Sequence, residues 1–224
     1  MTQSNFLRAR STAAKQQRED AILLSAQKLA LAQGVRGVTL TDIAADIGMH
    51  KSALLRYFET REAIFLHLAK DAWSEWSHAA KAQLDALSAQ GVRNPSGAAA
   101  HVLSATLAQR PLFCDLLAHV PLNLERGVSI PAVKDFKVTA IAAAGQVATA
   151  LEKTLDLPSP ATWNVVSTAT AMAGALWQMA APGTELRALY ESDPELAHAI
   201  VDVEPRLNDI ITALINGYTS DGNI

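Results

Sequence analysis

Residues 39–66 read TLTDIAADIGMHKSALLRYFETREAIFL, and the fold turns on how this stretch is punctuated. Thr39 and Asp42 form a T-x-x-D capping box with Leu40 just inside it, a sequence signature of a helix N-terminus. Ile43, Ala44 and Ile47 mark the buried face of a short helix, Leu40 to Ile47, that stops at Gly48. Only Met49 and His50 separate Gly48 from a second run, Lys51 to Phe58, in which Leu54 and Phe58 share one face. Glu59-Thr60 interrupts that run. Thr60 is a good N-cap for a longer helix from Arg61 through Ile64, Phe65, Leu68, Trp73 and Trp76 to about Gln90. Two short helices joined by a tight turn containing Gly make the helix-turn-helix pattern.

Working outward, Gln16 to Gln33 carries an apolar stripe of Ile22, Leu23, Ala26, Leu29 and Ala30 and meets a stop at Gly34. Residues 1–15 have no apolar run between their charges, so they read as a flexible basic arm rather than a signal peptide. Downstream, Pro95, Pro111, Pro160 and Pro205 fit the first turns of helices. The spacing predicts helices near 96–109, 111–120, 131–156, 160–181 and 203–217, with a short turn over Pro194 to Ala199. No window alternates apolar and polar residues for long enough to suggest a sheet. The expected fold is all-α: a three-helix helix-turn-helix domain over 16–62, followed by a helical bundle over 63–220.

Composition agrees. Half of the 224 residues are hydrophobic but only 5% are aromatic. That apolar fraction excludes general disorder. The single cysteine, Cys114, excludes a disulfide framework and fits a reducing, cytoplasmic setting. Leu157 to Thr184 carries no charge, yet its prolines, hydroxyls and many alanines suit a buried helix better than a membrane span. Charge is split: residues 1–61 hold nine Lys/Arg against five acids, and the rest of the chain ten against 17. A basic head on an acidic body suits a nucleic-acid-binding segment joined to something else, although ordinary solvated surface also gives such numbers.

A helix that enters the major groove must be slim and polar on its outward face. Lys51, Ser52 and Ala53 meet that demand, and Arg56 lies on the same arc. Arg61 places a cation in the first turn of its helix, against the helix dipole, a cost that an adjacent DNA phosphate would offset. Catalysis has little support. The six histidines form no metal-binding pair, and no phosphate loop, nucleophile elbow or supported carboxylate pair occurs. No enzyme activity, metal or cofactor is expected.

The stretch from Leu40 to Phe65 resembles the DNA-binding domain of tetracycline-repressor (TetR-type) regulators. Ile43, Ala44, Gly48, Lys51, Leu54, Tyr57, Phe58, Thr60, Glu62 and Ile64 match that family's usual run, and the resemblance is dense over 18–66. It implies backbone contacts to double-stranded DNA from Thr39, Thr41, Lys51, Tyr57 and Arg61. It leaves His50, Ser52, Ala53 and Arg56 as candidates near base edges. Leu55 replaces the usual phosphate-binding Tyr and is expected to meet a thymine methyl instead. The resemblance also implies a homodimer on a palindromic operator and a body that binds a small-molecule effector.

Ala169, Ala173 and Gly174 permit close helix approach, and Ile200, Leu207, Ile210, Ile211, Leu214 and Ile215 give the last helix a broad apolar face. Both features fit a four-helix dimer interface or an intrachain core. Trp73, Trp76, His101, Phe113, Cys114, Leu117, Phe136, Met172 and Trp177 are candidates to line an apolar effector cavity, and equally residues a plain core would use. The scarcity of buried charge favours a neutral, largely apolar effector. The competing readings are a helical protein-interaction module with a basic head, and a small-molecule carrier or enzyme.

Overall fold

A computed structural model describes the backbone of residues 3–221 and the side chains of residues 13–220. Met1, Thr2 and the side chains of the rest of the first dozen residues, including the arm's Arg8 and Arg10, lie outside that description. Among the described residues there is no β-strand. The order is α1 (Gln3–Gly37), α2 (Leu40–Asp46), α3 (Lys51–Leu54), α4 (Arg61–Gln90), α5 (Pro95–Ala108), α6 (Pro111–His119), α7 (Ile130–Leu155), α8 (Ser159–Ala180), α9 (Glu185–Ser192) and α10 (Val203–Asp221). A π-helical turn, Val120–Leu124, extends α6, and a 3-10 segment, Pro194–Ala199, precedes α10.

The expected helices are present, with four differences. The segment read as an arm is helical from Gln3 and continuous with the first helix. That helix runs on to Gly37 with a kink at Gly34, where φ is +76° and ψ +154°. The reading helix is a single α-turn over Lys51–Leu54, continued to Phe58 by tight turns in which Arg56 N–H bonds Ala53 O and Tyr57 N–H bonds Leu54 O. Finally, α9 forms where no helix was expected, started by the Thr184 hydroxyl accepting from Arg187 N–H.

Two cores share α4. The first gathers Ile22, Ala26, Val35, Ile43 and Leu54 around Ile64, Phe65 and Leu68 of α4, and it takes in Leu116, Val120 and Leu124 from the α6 region. The second is built on Trp76, Ala80 and Leu84 with α5, α7, α8 and α10. The headpiece therefore has no clean edge at residue 62: α4 through Ala69 packs with it, and Trp73 touches both cores.

Gly174, Ala169 and Ala173 face inward rather than toward a second chain. A Cβ on Gly174 would stand 2.8 Å from the backbone nitrogen of Ala118, so glycine lets α8 cross α6 at backbone contact. Ala169 and Ala173 are fully buried, as are Leu207, Ile211 and Ile215 of α10. These residues are intrachain core. The exposed stripe of α8 is instead Ser167, Ala171, Ala175 and Met179.

Candidate functional site

The headpiece scaffold is built by local hydrogen bonding. Thr39 accepts from Asp42 N–H at 3.2 Å, and Asp42 accepts from Thr39 N–H at 2.8 Å, which completes the capping box of α2. These bonds hold the Asp42 carboxyl below its ordinary value. Asp46, at the other end of α2, accepts from Ser25 Oγ (2.8 Å) and Lys28 Nζ (2.5 Å) and so ties α2 to α1. Leu54 is fully buried beneath α3.

On this base His50, Lys51, Ser52, Leu55 and Arg56 are all exposed, as is Thr41, while Ala53 and Tyr57 are half-buried. His50 caps α3 through its backbone carbonyl alone, leaving the imidazole outward. Among the described residues no carboxylate pairs with Lys51 or Arg56. The result is a narrow ridge with two unneutralised cations and, between them, the small Ser52 and Ala53 and the exposed apolar Leu55. Such a ridge suits a groove walled by phosphates.

Two residues expected at DNA are engaged elsewhere. Arg61 does not reach outward. Its guanidinium donates to the carbonyls of Val35 and Val38, lies 3.1 Å from Glu62 Oε1 and stacks 4.7 Å above the Phe65 ring. The dipole cost of a cation in the first turn is met inside the chain, at the carbonyls that end α1, rather than by a phosphate. Thr39 is exposed, but its hydroxyl proton goes to Asp42 Oδ2 at 2.7 Å. It acts as a cap.

Between α4, α6, α7 and α8 the body has an open cavity of about 260 Å³, with Lys137, Ile141 and Ser167 exposed at its rim. Of the candidates, Trp73, Leu117 and Phe136 line it, together with Val120, Ala140, Ile141, Ala144, Trp163, Val166, Ser167, Thr170 and Lys137. The other candidates disperse. Trp76 is fully buried core, its indole N–H donating to Thr106 Oγ1 at 3.1 Å. Phe113 packs edge-on against Trp73, 5.4 Å away. Cys114 is sealed in the core, donating to Leu107 O, and its thiol is pushed up to about 12 by burial and by the neighbouring Asp115 charge. His101 is exposed on α5, Met172 is packed against the body core away from the cavity, and Trp177 lines separate clefts near α9 and α1.

Trp163, Ser167 and Thr170 were missed. Their i, i+4 and i, i+7 spacing on an uncharged helix was a usable signal, hidden because the same helix also carries core residues. Ser167 and Thr170 donate to their own helix at Trp163 O (2.7 Å) and Val166 O (2.9 Å), so toward the cavity they present acceptor lone pairs. Lys137 pairs with Glu125 at 2.6 Å.

The family model described as bacterial regulatory proteins, tetR family, matches residues 22–68, and that of the tetracyclin repressor-like C-terminal domain matches residues 70–221. The chain belongs to the tetracycline-repressor family. As a TetR-family protein it is a DNA-binding transcriptional regulator, and the ridge on α3 lies inside the segment matched by the first of these models. No curated protein matches its sequence. Two solved structures share the TetR fold with it. One is a Mesorhizobium loti protein assigned to TetR-family transcriptional regulators, at 14% identity, a TM-score of 0.56 and coverage of 92% of this chain and 96% of that one. The other is RolR in complex with resorcinol, at 15% identity, a TM-score of 0.52 and coverage of 90% and 96%. Among the described residues no helix is long and apolar enough to cross a membrane.

Proposed function

We propose that this regulator is a homodimeric repressor that sets its two α3 ridges into successive major grooves of a palindromic operator. A small, largely apolar effector in the body cavity then releases it. The observation that carries the reading is the ridge itself: Lys51 and Arg56 exposed on a scaffold capped at α2, with Ser52, the half-buried Ala53 and the exposed Leu55 between them. Twofold symmetry puts half-site centres about 34–36 Å apart, or a multiple of that.

The cavity supports a one-ring effector. At about 260 Å³ it falls short of the ~300–1,000 Å³ typical of pockets for larger ligands. Its walls are aromatic and aliphatic, and its hydroxyl oxygens would accept from a donor on the ligand. RolR, of the same fold, holds resorcinol, a single ring carrying two hydroxyls. Resorcinol and benzoate therefore make a useful probe pair, one neutral donor and one anion.

Selection of bound duplexes from a random pool tests the reading. A palindromic consensus is expected, with affinity that falls steeply as salt rises. Replacing Lys51 and Arg56 together by Ala should abolish selection while the protein keeps its oligomeric state. Selection that persists in the double variant would place the reading surface elsewhere.

A further inference from the structure

We propose that Asp115 is a positioning residue for DNA binding, a buried clamp that fixes the headpiece against the body and thereby sets which half-site spacing the dimer accepts. The inference rests on the homodimeric DNA-binding reading above. Asp115 sits on α6 and is only 6% exposed. Its Oδ2 accepts from Val35 N–H, 80 residues away in the headpiece, at 2.6 Å. Its Oδ1 accepts from Gln178 Nε2, near the end of α8, at 2.8 Å and lies 3.4 Å from His119 Nε2.

The backbone is shaped for this contact. At Gly34, ψ is +154° where a helix has about −42°. That rotation swings the Gly34–Val35 peptide out of the helical ladder and turns Val35 N–H toward Asp115. A φ of +76° with this ψ is a region open essentially to glycine alone. The same short segment is gripped from its other side, since Arg61 takes the carbonyls of Val35 and Val38. Val38 leads directly into Thr39, the cap of α2, and α2 leads through Gly48 to the ridge. The angle of the ridge to the body is therefore set where Val35–Val38 is held. Among the described residues two other polar bonds join headpiece and body, Thr60 Oγ1 to Gly127 O and Ser129 N–H to Glu59, but only the Asp115 bond to Val35 is sealed from water.

Packing alone does not call for a carboxylate here. A well-packed apolar side chain in place of a buried ion often serves stability equally well. A carboxylate adds direction: donors from α1 and α8 converge on one rigid plane, with His119 beside it. The clamp is also attached to the cavity walls. Leu117 of α6 and Val166 and Thr170 of α8 line the cavity, while Asp115 and Gln178 extend from the same two helices to the headpiece joint.

The test compares affinities for the pool-selected duplex and for duplexes with one or two base pairs added or removed between half-sites. Asp115→Asn is the main variant, because an amide offers one acceptor oxygen where Val35 N–H and Gln178 Nε2 each use one. Wild type is expected to lose about tenfold or more per base pair of altered spacing, the scale of a mismatched pair. Asp115→Asn should lose less than about threefold over the same series, with its half-site sequence preference intact, because weaker geometric demand costs less than a mismatch. A role confined to stability would lower all affinities in parallel. Gln178→Leu keeps the bond to Val35 and should flatten the profile partway, so it decides the matter if Asp115→Asn does not fold. Spacing profiles identical to wild type overturn the clamp alone. A wild-type protein that selects no duplex overturns the DNA-binding reading and the clamp with it.

Discussion

Arg61 and the pair Lys51/Arg56 are cations within a dozen residues of one another, and burial separates their roles. Arg61 ends two backbone carbonyls and covers Phe65. Arg61→Ala should therefore cost about 1–3 kcal/mol in urea unfolding, the penalty of leaving buried acceptors unpaired. Lys51→Ala and Arg56→Ala should each change stability by less than about 0.5 kcal/mol, as exposed substitutions do, while removing duplex binding. The exposure of Lys51 and Arg56 was legible in the sequence, because a helix of one turn offers them no core face of its own beyond Leu54. The sequence misplaces Arg61, because the acceptors that hold it are carbonyls 23 and 26 residues upstream. A carbonyl carries no residue-type signal. Asp115 was hidden for the same reason: its nearest partner is an amide. Burial raises the Asp115 carboxyl, but hydrogen bonds from His119, Val35 and Gln178 outweigh it and hold it below its ordinary 3.8. A depressed carboxyl stabilises the fold above its unfolded value and loses that contribution as pH falls through the folded value. The urea midpoint of wild type should thus fall more steeply below about pH 4 than that of Asp115→Asn. Cys114 supplies a companion test. With its thiol pushed up to about 12 and no exposed surface, it should resist iodoacetamide in the native protein at pH 8 and react on unfolding.

At the scale of elements, caps and prolines made most boundaries readable. Thr39, Thr60, Pro95 and Pro111 each start or immediately precede a helix, and Pro160 is the second residue of α8, all within a residue of the expected position. What stayed hidden depends on tertiary neighbours. Gly34 read as a stop, since a glycine after an apolar stripe usually ends a helix; here it kinks the chain so that one further turn can be gripped by α6 and α4. The stripe Ala169, Ala173 and Gly174 announced close packing but not its partner. Helix α6, in the same chain, fills that place. Gly174→Ala is the corresponding test. Its Cβ would meet the Ala118 backbone at 2.8 Å, where nothing flexible can yield. The variant should lose about 1–3 kcal/mol, the usual range for overpacking, in calorimetric or urea unfolding. Ala171→Ser on the exposed stripe of the same helix should leave monomer stability unchanged.

Taken whole, the molecule joins a basic head to an acidic body through one helix, α4, that belongs to both cores. Leu116, Val120 and Leu124 come from the body and pack into the headpiece core, so the head is seated rather than tethered. Any movement of α6 must then be passed to it, through apolar contacts and through Asp115. The cavity lies against the same helix at Leu117, and its far wall is α7 at Ala140 and Ala144. Filling the space from within should imitate an effector without any ligand. Ala144→Leu adds three carbons into an existing void of about 260 Å³, which keeps the overpacking cost small. If occupancy is wired to the head, this variant should fold and associate like wild type yet bind the selected duplex about 5–150-fold more weakly, the usual span of allosteric coupling. It should also lose the thermal stabilisation that resorcinol gives wild type if that probe binds there. Fluorescence anisotropy with a labelled duplex reads the first quantity and a melting curve the second. The double variant with Asp115→Asn shows the route. A clamp that carries the signal makes the Ala144→Leu effect shrink when Asp115 is removed, whereas coupling carried wholly by Leu116, Val120 and Leu124 leaves it at full size.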